Sequence, residues 1–384
     1  MIGTARKLWS VFDDRRAAET MRDLLERAGI TIGGDAPWDI QIHDERVYVR
    51  ALRDGTLGVG ESYVEGWWDC QAIDQMFDRV TRAQLDVVLS ESWVLLANAV
   101  KARIINLQAT RAFEVGERHY DVGNDLYQAM LGRRMVYTCA YWKNADNLDA
   151  AQEAKLDLVC RKIGARPGMR ILDLGCGWGG FAAFAAENYG SSVVGYTVSR
   201  EQWAWAKERH AKLPVDIRLD DYRKATGSYD AIVSIGLMEH VGPKNYRAYM
   251  ELATRCLAPG GIVFVHTIGG DRPRTQIDPW YDKYIFPNAV IPTLGQLAAA
   301  MDEILVVEDV QNIGPNYDRT LMAWWTNFDR AWPTLRAQYG DSFYRMWKFY
   351  LLTSAAQFRA RALNLFQIVA TATGTMQPPT VRER

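Results

Sequence analysis

The stretch "ILDLGCGWGG" (171–180) decides how the chain can fold. It starts with apolar residues typical of a buried strand, and Gly175, Gly177 and Gly180 then have the GxGxxG spacing of a tight turn that opens a helix. Helical patterns alternate after it with the strand-like runs "SSVVGYTV", "VDIRLD", "YDAIVSIG" and "IVFVHTI". This alternation indicates a mostly parallel, Rossmann-like α/β sheet covered on both faces. Beyond residue 313, long aromatic-rich helices precede "LFQIVATA" (365–372), which predicts a last, antiparallel strand at one edge.

The part of the chain before this region predicts a smaller, mainly helical domain. "RRAAETMRDLLERAG" (15–29), "DQMFDRV" (74–80) and "SWVLLANAVKARIINL" (92–107) have helical spacing, and "WDIQIHDERVYV" (38–49) alternates like short strands. Titratable groups do not cluster around a Gly-rich turn in residues 1–110. We therefore expect an accessory domain at 1–107, a linker at 108–118 and a catalytic domain at 119–384.

Composition argues against several functional classes. Lys and Arg number 45 against 46 Asp and Glu, so no bulk field attracts nucleic acid. No apolar run reaches the ~20 residues of a membrane helix, and the first residues lack the apolar core of a signal peptide. The five cysteines are scattered without a CxxC pair, which argues against a disulfide framework or a metal site and fits a reducing cytoplasm.

The Gly-rich turn has three interpretations. A nicotinamide dinucleotide site expects an acidic residue ~20 positions later, at the end of the second strand, but that strand ends "VVGYTV". S-adenosylmethionine is the favoured ligand, because it has no phosphate and because Asp173 would then lie beside a positive sulfonium. A turn that binds no ligand is the third interpretation.

Two later turns carry further candidates for cofactor contacts. "TVSREQ" (197–202) contains a capping box, Ser199 with Gln202, and a simple helix start explains Gln202 equally well. Thr197 and Gln202 nevertheless follow the second strand, where a cofactor ribose would lie. Asp221 and Tyr222, after the third strand, are positioned to flank an adenine.

A second set of residues is expected at the same end of the sheet. Glu239 follows the fourth strand, His266 and Ile268 end the fifth, Cys139 lies in "MVYTCAYW", and Tyr317 enters a late helix. The structural alternatives are plain ones. A histidine in a strand is often a hydrogen-bonded core residue, and a buried cysteine is usually inert packing.

At these residues the chain resembles a known family, the bacterial cyclopropane-fatty-acyl-phospholipid synthases, with the related mycolic acid cyclopropane synthases. The matching stretches span nearly all of residues 115–365. They are "HYDVGNDLY" (119–127), "YTCAYW" (137–142), "LDLGCGWGG" (172–180), "MEHVGPKNY" (238–246), "HTIGG" (266–270), "DPWYDKYIFPN" (278–288), "TLMAWW" (320–325) and "QFRARAL" (357–363). The resemblance implies a class I S-adenosylmethionine-dependent methyltransferase fold with a seven-stranded sheet.

The resemblance also implies which residues bind. A bicarbonate ion would be held by the backbone amides of Cys139 and Ile268 and by the side chains of Glu239, His266 and Tyr317. Glu239 would accept the proton of the bicarbonate hydroxyl and raise the basicity of the ion. S-adenosylmethionine would contact Tyr137, Thr138, Ile171, Leu172, Asp173, Leu174, Gly175, Cys176, Gly177, Trp178, Gly179, Thr197, Ser199, Gln202, Asp221 and Tyr222.

The implied reaction transfers a methylene group from S-adenosylmethionine to the cis double bond of an unsaturated acyl chain of a membrane phospholipid. It passes through methyl transfer, a carbocation and deprotonation by the bound bicarbonate, in a pocket that excludes water. Two other functions remain open. One is a methyltransferase that acts on nitrogen or oxygen, and the other is an inactive lipid- or cofactor-binding protein.

The substrate implies partners and a location. We expect a cytoplasmic protein, peripherally associated with the inner face of the cell membrane, that binds the phospholipid bilayer as a homodimer and does not bind nucleic acid. "IDPWYDKYIFPNAVIP" (277–292) suits the headgroup layer, and a folded lid buried against the catalytic domain explains it equally well. Many family members have a cysteine where this chain has Ser354, to which we assign no chemistry.

Overall fold

The computed structural model describes residues 14–85 and 123–378. The predicted helix at 92–107 and the predicted linker at 108–118 lie outside the described residues. The described residues divide into two compact units. The first combines those within 1–104 with Asp278–Ile285 and Trp332–Ala362, and the second holds the rest. Two segments from beyond residue 118 therefore pack with the N-terminal residues, which differs from the continuous division expected from the sequence.

The first unit is mainly helical. Its helices are Asp14–Arg27, Arg46–Val64, Ile73–Arg82, Pro279–Tyr284 and the later part of Pro315–Arg359. Strands β1 (Ile40–Ile42) and β2 (Trp68–Cys70) pair antiparallel. The expectation that "ERVYV" (45–49) forms a strand is wrong, because Val47, Tyr48 and Ala51 are buried at helical spacing.

Aromatic rings join the distant segments of the first unit. The Phe349 ring lies 5.4 Å from Tyr63 and 4.8 Å from Trp280, centroid to centroid. Such ring pairs stabilise a core beyond their area of burial. Trp280 is only 1% exposed, so its side chain belongs to this core.

Polar contacts fix the segment Asp278–Ile285 within the same unit. The Tyr281 hydroxyl hydrogen-bonds the Thr353 and Ser354 hydroxyls at 2.8 and 2.9 Å. The Glu61 carboxylate accepts from Lys283 and from the Tyr284 hydroxyl. Of the two alternatives for this segment, Trp280 and Tyr281 therefore follow the folded one, and Ser354 has a structural partner.

The second unit contains a seven-stranded sheet in the order β5-β4-β3-β6-β7-β9-β8. Its strands are β3 (Arg170–Leu174), β4 (Ser192–Thr197), β5 (Val215–Leu219), β6 (Tyr229–Ile235), β7 (Leu257–Gly270), β8 (Leu305–Asn312) and β9 (Leu363–Ala372). Strands β3 to β7 pair in parallel, and β9 pairs antiparallel with both β7 and β8. The predicted fold class is confirmed.

The predicted place of the last strand is wrong in one respect. The run "LFQIVATA" does pair antiparallel, but it lies inside the sheet, and β8 forms the edge. Its buried centre, Ile368 to Ala370, is typical of an interior strand. The sequence did not predict β8, because Glu308 and Asp309 interrupt its apolar pattern. Val306 and Val307 in the same strand are exposed.

Helices cover both faces of the sheet. They are Asn124–Leu131, Leu148–Lys162, Gly180–Tyr189, Arg200–Arg209, Met238–Val241, Tyr246–Cys256, Leu294–Met301 and the first part of Pro315–Arg359. Successive strand residues point to opposite faces, so Val263 packs in one core with Met250, and Phe264 packs in the other with Val159. Because β3, β4, β6 and β7 are parallel, their carboxyl ends lie at the same edge of the sheet.

Within residues 14–85 and 123–378, no helix combines the length and the apolar character that crossing a bilayer requires.

Candidate active site

The Gly-rich turn borders a pocket at the carboxyl end of β3. Gly175 and Gly177 have φ angles of +79° and +56°, which residues with a side chain rarely adopt. The pocket contains about 540 Å³ of empty space. The predicted cofactor residues that line it are Tyr137, Thr138, Asp173, Gly175, Cys176, Gly177, Trp178 and Gln202. The fold thus gathers residues from separate parts of the chain around one space.

Other residues of the predicted cofactor loop do not line this pocket. Ile171, Leu172 and Leu174 are fully buried in the apolar cores on the two faces of the sheet. Gly179 has a left-handed conformation at the start of the helix Gly180–Tyr189. The side chains of Ile171, Leu172 and Leu174 therefore pack in the cores, and the expected contact of these residues with the cofactor stays a prediction.

Thr197, Ser199 and Gln202 form a local network of hydrogen bonds. The Ser199 hydroxyl accepts from the backbone amide of Gln202 at 3.2 Å, so the predicted N-cap is present. The side chain of Gln202 does not close the capping box, because its Oε1 accepts from the Thr197 hydroxyl at 2.8 Å instead. The hydrogen bond from Thr197 fixes the side-chain amide of Gln202 beside the pocket. Ser199 binds the backbone amide of the same residue.

Asp221 and Tyr222 lie after β5, two strands away from β3, and do not line the pocket. Asp221 accepts from the backbone amide and the guanidinium of Arg223 and so caps a short turn. The Tyr222 ring packs edge-on against Tyr249, with the centroids 5.7 Å apart. Their expected contact with an adenine stays a prediction.

A buried lysine, which the sequence analysis did not identify, joins Asp173 in the pocket. Lys155 is fully buried, and its Nζ donates to the Thr138 hydroxyl at 3.0 Å. Burial raises the pKa of Asp173 to about 7 and lowers the pKa of Lys155 to about 7. Lys155 could have been found from its helical spacing with the buried Leu158, Val159 and Lys162.

The carboxylate of Asp173 provides a test of whether the pocket suits S-adenosylmethionine. Its Oδ1 is buried and has no hydrogen-bond partner among the described residues. An unpaired buried acceptor is costly unless a ligand satisfies it. A cationic ligand that approaches the open glycine turn would do so, and the pocket therefore fits this cofactor.

Glu239 and His266 lie near the carboxyl ends of β6 and β7. Ile235 on β6 pairs with His266 on β7, and the helix Met238–Val241 then places Glu239 over the end of β7. The Ile268 amide donates to Glu239 Oε1 at 2.6 Å. Glu239 Oε2 and His266 Nε2 are buried without a hydrogen-bond partner among the described residues.

Burial shifts the pKa values of both side chains. Burial raises the pKa of Glu239 to about 7, although the Ile268 amide partly offsets this effect. Burial, with Lys155 and Lys162 nearby, lowers the pKa of His266 well below its usual value, so the imidazole is neutral. An unpaired carboxylate oxygen and an unpaired imidazole nitrogen near the ends of neighbouring strands are the groups that a small anion with a hydroxyl would require.

Cys139 and Tyr317 lie in the same unit and are also buried. The Ala140 amide donates to the Thr320 hydroxyl at 3.1 Å, which ties "YTCAYW" to the helix that carries Tyr317. The Cys139 thiol donates to the Ala140 carbonyl, and burial raises its pKa, so it is not a nucleophile in this state. The backbone amide of Ile268, which the sequence assigned to the anion, donates its hydrogen bond to Glu239 Oε1 instead.

Aromatic rings connect the pocket with Tyr317. The Tyr137 ring lies 5.1 Å from Trp324, and the Tyr317 ring lies 6.1 Å from Trp324. Tyr137 and Gly236 line the cofactor pocket, and the Gly236 amide donates to the His266 carbonyl. The two sets of predicted residues are thus parts of one continuous region.

Gly180 offers a test of the close packing around the turn. A Cβ at this position would lie 2.5 Å from the Arg134 carbonyl oxygen and 2.8 Å from a methyl of Val136. Because backbone has to move, we expect Gly180→Ala to lower the free energy of unfolding by about 1–3 kcal/mol, measured by urea denaturation. Gly295→Ala is the control, since its Cβ would meet only one atom, at 4.0 Å. Equal stability of both variants with the unaltered protein would contradict the observed packing.

Comparison with known proteins identifies relatives over most of the chain. The profile of the mycolic acid cyclopropane synthetase family matches residues 107–368. The cyclopropane-fatty-acyl-phospholipid synthase of Escherichia coli (strain K12) is 48% identical over 348 residues, which are 90% of this chain and 91% of the relative. A probable fatty acid methyltransferase of Pseudomonas putida is 37% identical over 66% of this chain and 67% of its own length.

Solved structures agree with these relatives. The cyclopropane synthase MmaA2 from Mycobacterium tuberculosis superposes with a TM-score of 0.64 and 28% identity, over 68% of this chain and 98% of that chain. The mycolic acid cyclopropane synthase CmaA1, solved with SAH and CTAB, gives a TM-score of 0.63 and 29% identity, over 67% and 97%. The family resemblance and the methyltransferase fold expected from the sequence are confirmed, and the chain belongs to the mycolic acid cyclopropane synthetase family.

Proposed function

We propose that the protein is a cyclopropane-fatty-acyl-phospholipid synthase. It transfers a methylene group from S-adenosylmethionine to the cis double bond of an unsaturated acyl chain of a membrane phospholipid. The name of the E. coli relative supports this activity at 48% identity. The observation that carries the proposal is that two buried atoms near the carboxyl ends of β6 and β7, Glu239 Oε2 and His266 Nε2, have no hydrogen-bond partner among the described residues.

S-adenosylmethionine, when bound, supplies an electrophilic methyl group. Gly175 and Gly177 let the backbone approach the cofactor closely, and Asp173 satisfies its unpaired oxygen on the cationic ligand. Tyr137, Thr138 and Gln202 complete the walls. Holding both reactants in line lowers the activation barrier by several kcal/mol, as alignment generally does.

Bicarbonate, when bound, supplies a base for the new methyl group. Glu239 Oε2 accepts the hydroxyl proton of the ion and fixes its orientation, and His266 donates from Nε2. The Tyr317 hydroxyl and the Cys139 amide are the further proposed donors. Because Glu239 draws on the proton of the ion, it raises the basicity of the opposite oxygen.

Exclusion of water is the remaining requirement, since water would trap a carbocation on the acyl chain as an alcohol. Tyr137, Tyr317 and Trp324 surround the region, and their ring faces can stabilise positive charge. Trp324 is 1% exposed and Tyr317 8% exposed. The aromatic enclosure thus supports both tasks.

The substrate suggests where the protein acts. We propose that it works in the cytoplasm as a homodimer, peripherally bound to the inner face of the membrane, without nucleic acid as a partner. We also propose that the accessory region at 1–107 serves lipid binding or subunit pairing. The location of phospholipid acyl chains in the bilayer supports the membrane contact.

A vesicle assay tests the proposed activity. The protein is incubated with S-adenosylmethionine and vesicles of cis-unsaturated phospholipid, and the acyl chains are analysed by mass spectrometry. We expect chains heavier by one CH2 that resist hydrogenation. Unchanged chains together with a methylated headgroup amine would overturn the proposal in favour of a nitrogen methyltransferase.

Activity should rise with pH through the titration of Glu239. Burial places the pKa of this carboxyl at about 7. Below that pH the protonated carboxyl cannot accept a proton, and above it the carboxylate can, so kcat/KM for the phospholipid should rise and then level off. The assay uses saturating S-adenosylmethionine, so that the titration of Asp173 and Lys155 in the cofactor pocket does not limit the rate. The bicarbonate concentration is held constant. A profile that falls through pH 7, or a Glu239→Gln variant that keeps the rise, would contradict the assignment.

A further inference from the structure

A row of polar side chains crosses three neighbouring strands behind the candidate active site. His266 on β7 pairs in register with Gln367 on β9, which pairs with Gln311 on β8. We call these three residues the His266 row. They are 1%, 0% and 9% exposed. The adjoining positions on the same strands include the apolar Phe264 and Val369, so the row is a polar line across an apolar face.

The contact within this row defines the protonation of the imidazole. Gln367 Nε2 lies 3.3 Å from His266 Nδ1. An amide nitrogen can only donate, so Nδ1 accepts and carries no hydrogen. A neutral imidazole with an unprotonated Nδ1 has its hydrogen on Nε2. That nitrogen is buried and has no hydrogen-bond partner among the described residues.

Burial lowers the pKa of His266 most, and the charged groups around the ring add to this effect. Lys155 and Lys162, both on the helix Leu148–Lys162, disfavour a second proton on His266. Asp309 on β8 faces Lys162 Nζ at 3.5 Å. An amide at position 367 adds no charge to this arrangement, whereas a carboxylate would accept from Nδ1–H and favour the opposite tautomer.

We propose that Gln367 is a positioning residue that fixes His266 in the tautomer protonated at Nε2. His266 is then a hydrogen-bond donor to the anion and cannot be the base, because its other nitrogen is occupied by Gln367. This inference rests on the proposed function, in which the anion takes the proton.

The surroundings of Gln367 support a role beyond packing. Its Oε1 is buried and has no hydrogen-bond partner among the described residues. An unsatisfied amide oxygen in a sheet interior destabilises the fold. A leucine would avoid that loss, so the contact with Nδ1 is the feature that distinguishes glutamine at this place.

Nitrogen NMR on the intact protein tests the tautomer without an activity assay. The chain has five histidines, and 15N labelling of histidine with long-range proton–nitrogen spectra resolves the state of each ring. The His266 signals are assigned by their absence in His266→Gln. We expect an unprotonated Nδ1 and a protonated Nε2 in the unaltered protein, and the reverse in Gln367→Glu. A protonated Nδ1 in the unaltered protein would overturn the inference.

Kinetics separate positioning from general structural support. We expect Gln367→Leu to lower kcat or to raise the KM for bicarbonate by about 10–100-fold, the usual effect of removing the partner of a functional histidine. The KM for S-adenosylmethionine should not change. Gln311→Leu, in the same row but without contact to His266, is the matched control and should keep both the tautomer and the kinetics.

The outcomes distinguish this inference from the proposed function. If Gln311→Leu reproduces the loss, general polarity of the row is responsible and the positioning role is wrong. If the unaltered protein makes no cyclopropane product, the proposed function fails, while the NMR result still decides the tautomer. If Gln367→Leu does not fold, the spectrum of the unaltered protein remains decisive.

Discussion

Glu239→Gln is expected to lower kcat by about 10²–10⁴-fold, the usual contribution of a positioned group that takes part in proton transfer. Glutamine has nearly the same shape and can still accept from the Ile268 amide through its side-chain oxygen. Its NH2 group, however, would face the position of Glu239 Oε2 and donate where an acceptor is required. Rates with phospholipid vesicles, together with cofactor binding by calorimetry, measure the two effects separately.

The control for this variant is Glu251→Gln, the same change on an exposed glutamate of the helix Tyr246–Cys256. Glu251 is exposed and forms an ion pair with Arg247 on the same helix, so turnover should be unaffected. Cofactor affinity should be unchanged in both variants, because Glu239 does not line the cofactor pocket. Normal turnover in Glu239→Gln would remove the role assigned to this carboxylate.

Removal of bicarbonate is expected to have an effect of similar size. In buffers stripped of carbon dioxide, turnover should fall by about 10²-fold or more, because the base is then missing. Added bicarbonate should restore it. The physical reason is that no side chain replaces the ion as base in the proposed arrangement, because His266 Nε2 carries a hydrogen and donates, and Glu239 Oε2 accepts the hydroxyl proton of the ion.

Glu239→Gln also provides the control for this experiment. Its residual rate should respond only weakly to bicarbonate, since the variant holds the ion poorly. A methyltransferase that acts on nitrogen or oxygen needs no such ion, and its rate would be independent of bicarbonate. A constant rate in verified bicarbonate-free buffer would therefore remove the anion from the proposed function.

Sequence patterns were sufficient for the central fold. The strand at 171–174 and its glycine turn, and the later alternation of strands and helices, are local features with periods of 2 and 3.6 residues. Each depends on residues close together in the chain, so it can be read without a structure. The family resemblance added the seven-stranded sheet, which the structure confirms.

The sequence predictions failed where contacts between residues distant in the chain determine the secondary structure or the packing. "ERVYV" looked extended, but tertiary burial of Val47 and Tyr48 stabilises a helix there. β8 could not be identified from its interrupted pattern, so "LFQIVATA" was placed at an edge that β8 occupies. The sequence did not assign the segment Asp278–Ile285 to the first unit, because its aromatic partners Phe349 and Tyr350 are distant in sequence.

The sequence by itself determined the fold class, the glycine turn and the types of residue that end each strand, because these follow from local periodicity and from motif spacing. Only the tertiary structure placed Lys155 against Thr138 and left Asp173 Oδ1 unpaired. It alone brought Gln367 to His266, 101 positions apart, across an antiparallel pair of strands. The reason is that burial and hydrogen-bond partnership depend on which strands become neighbours, and chain-local patterns do not encode that order.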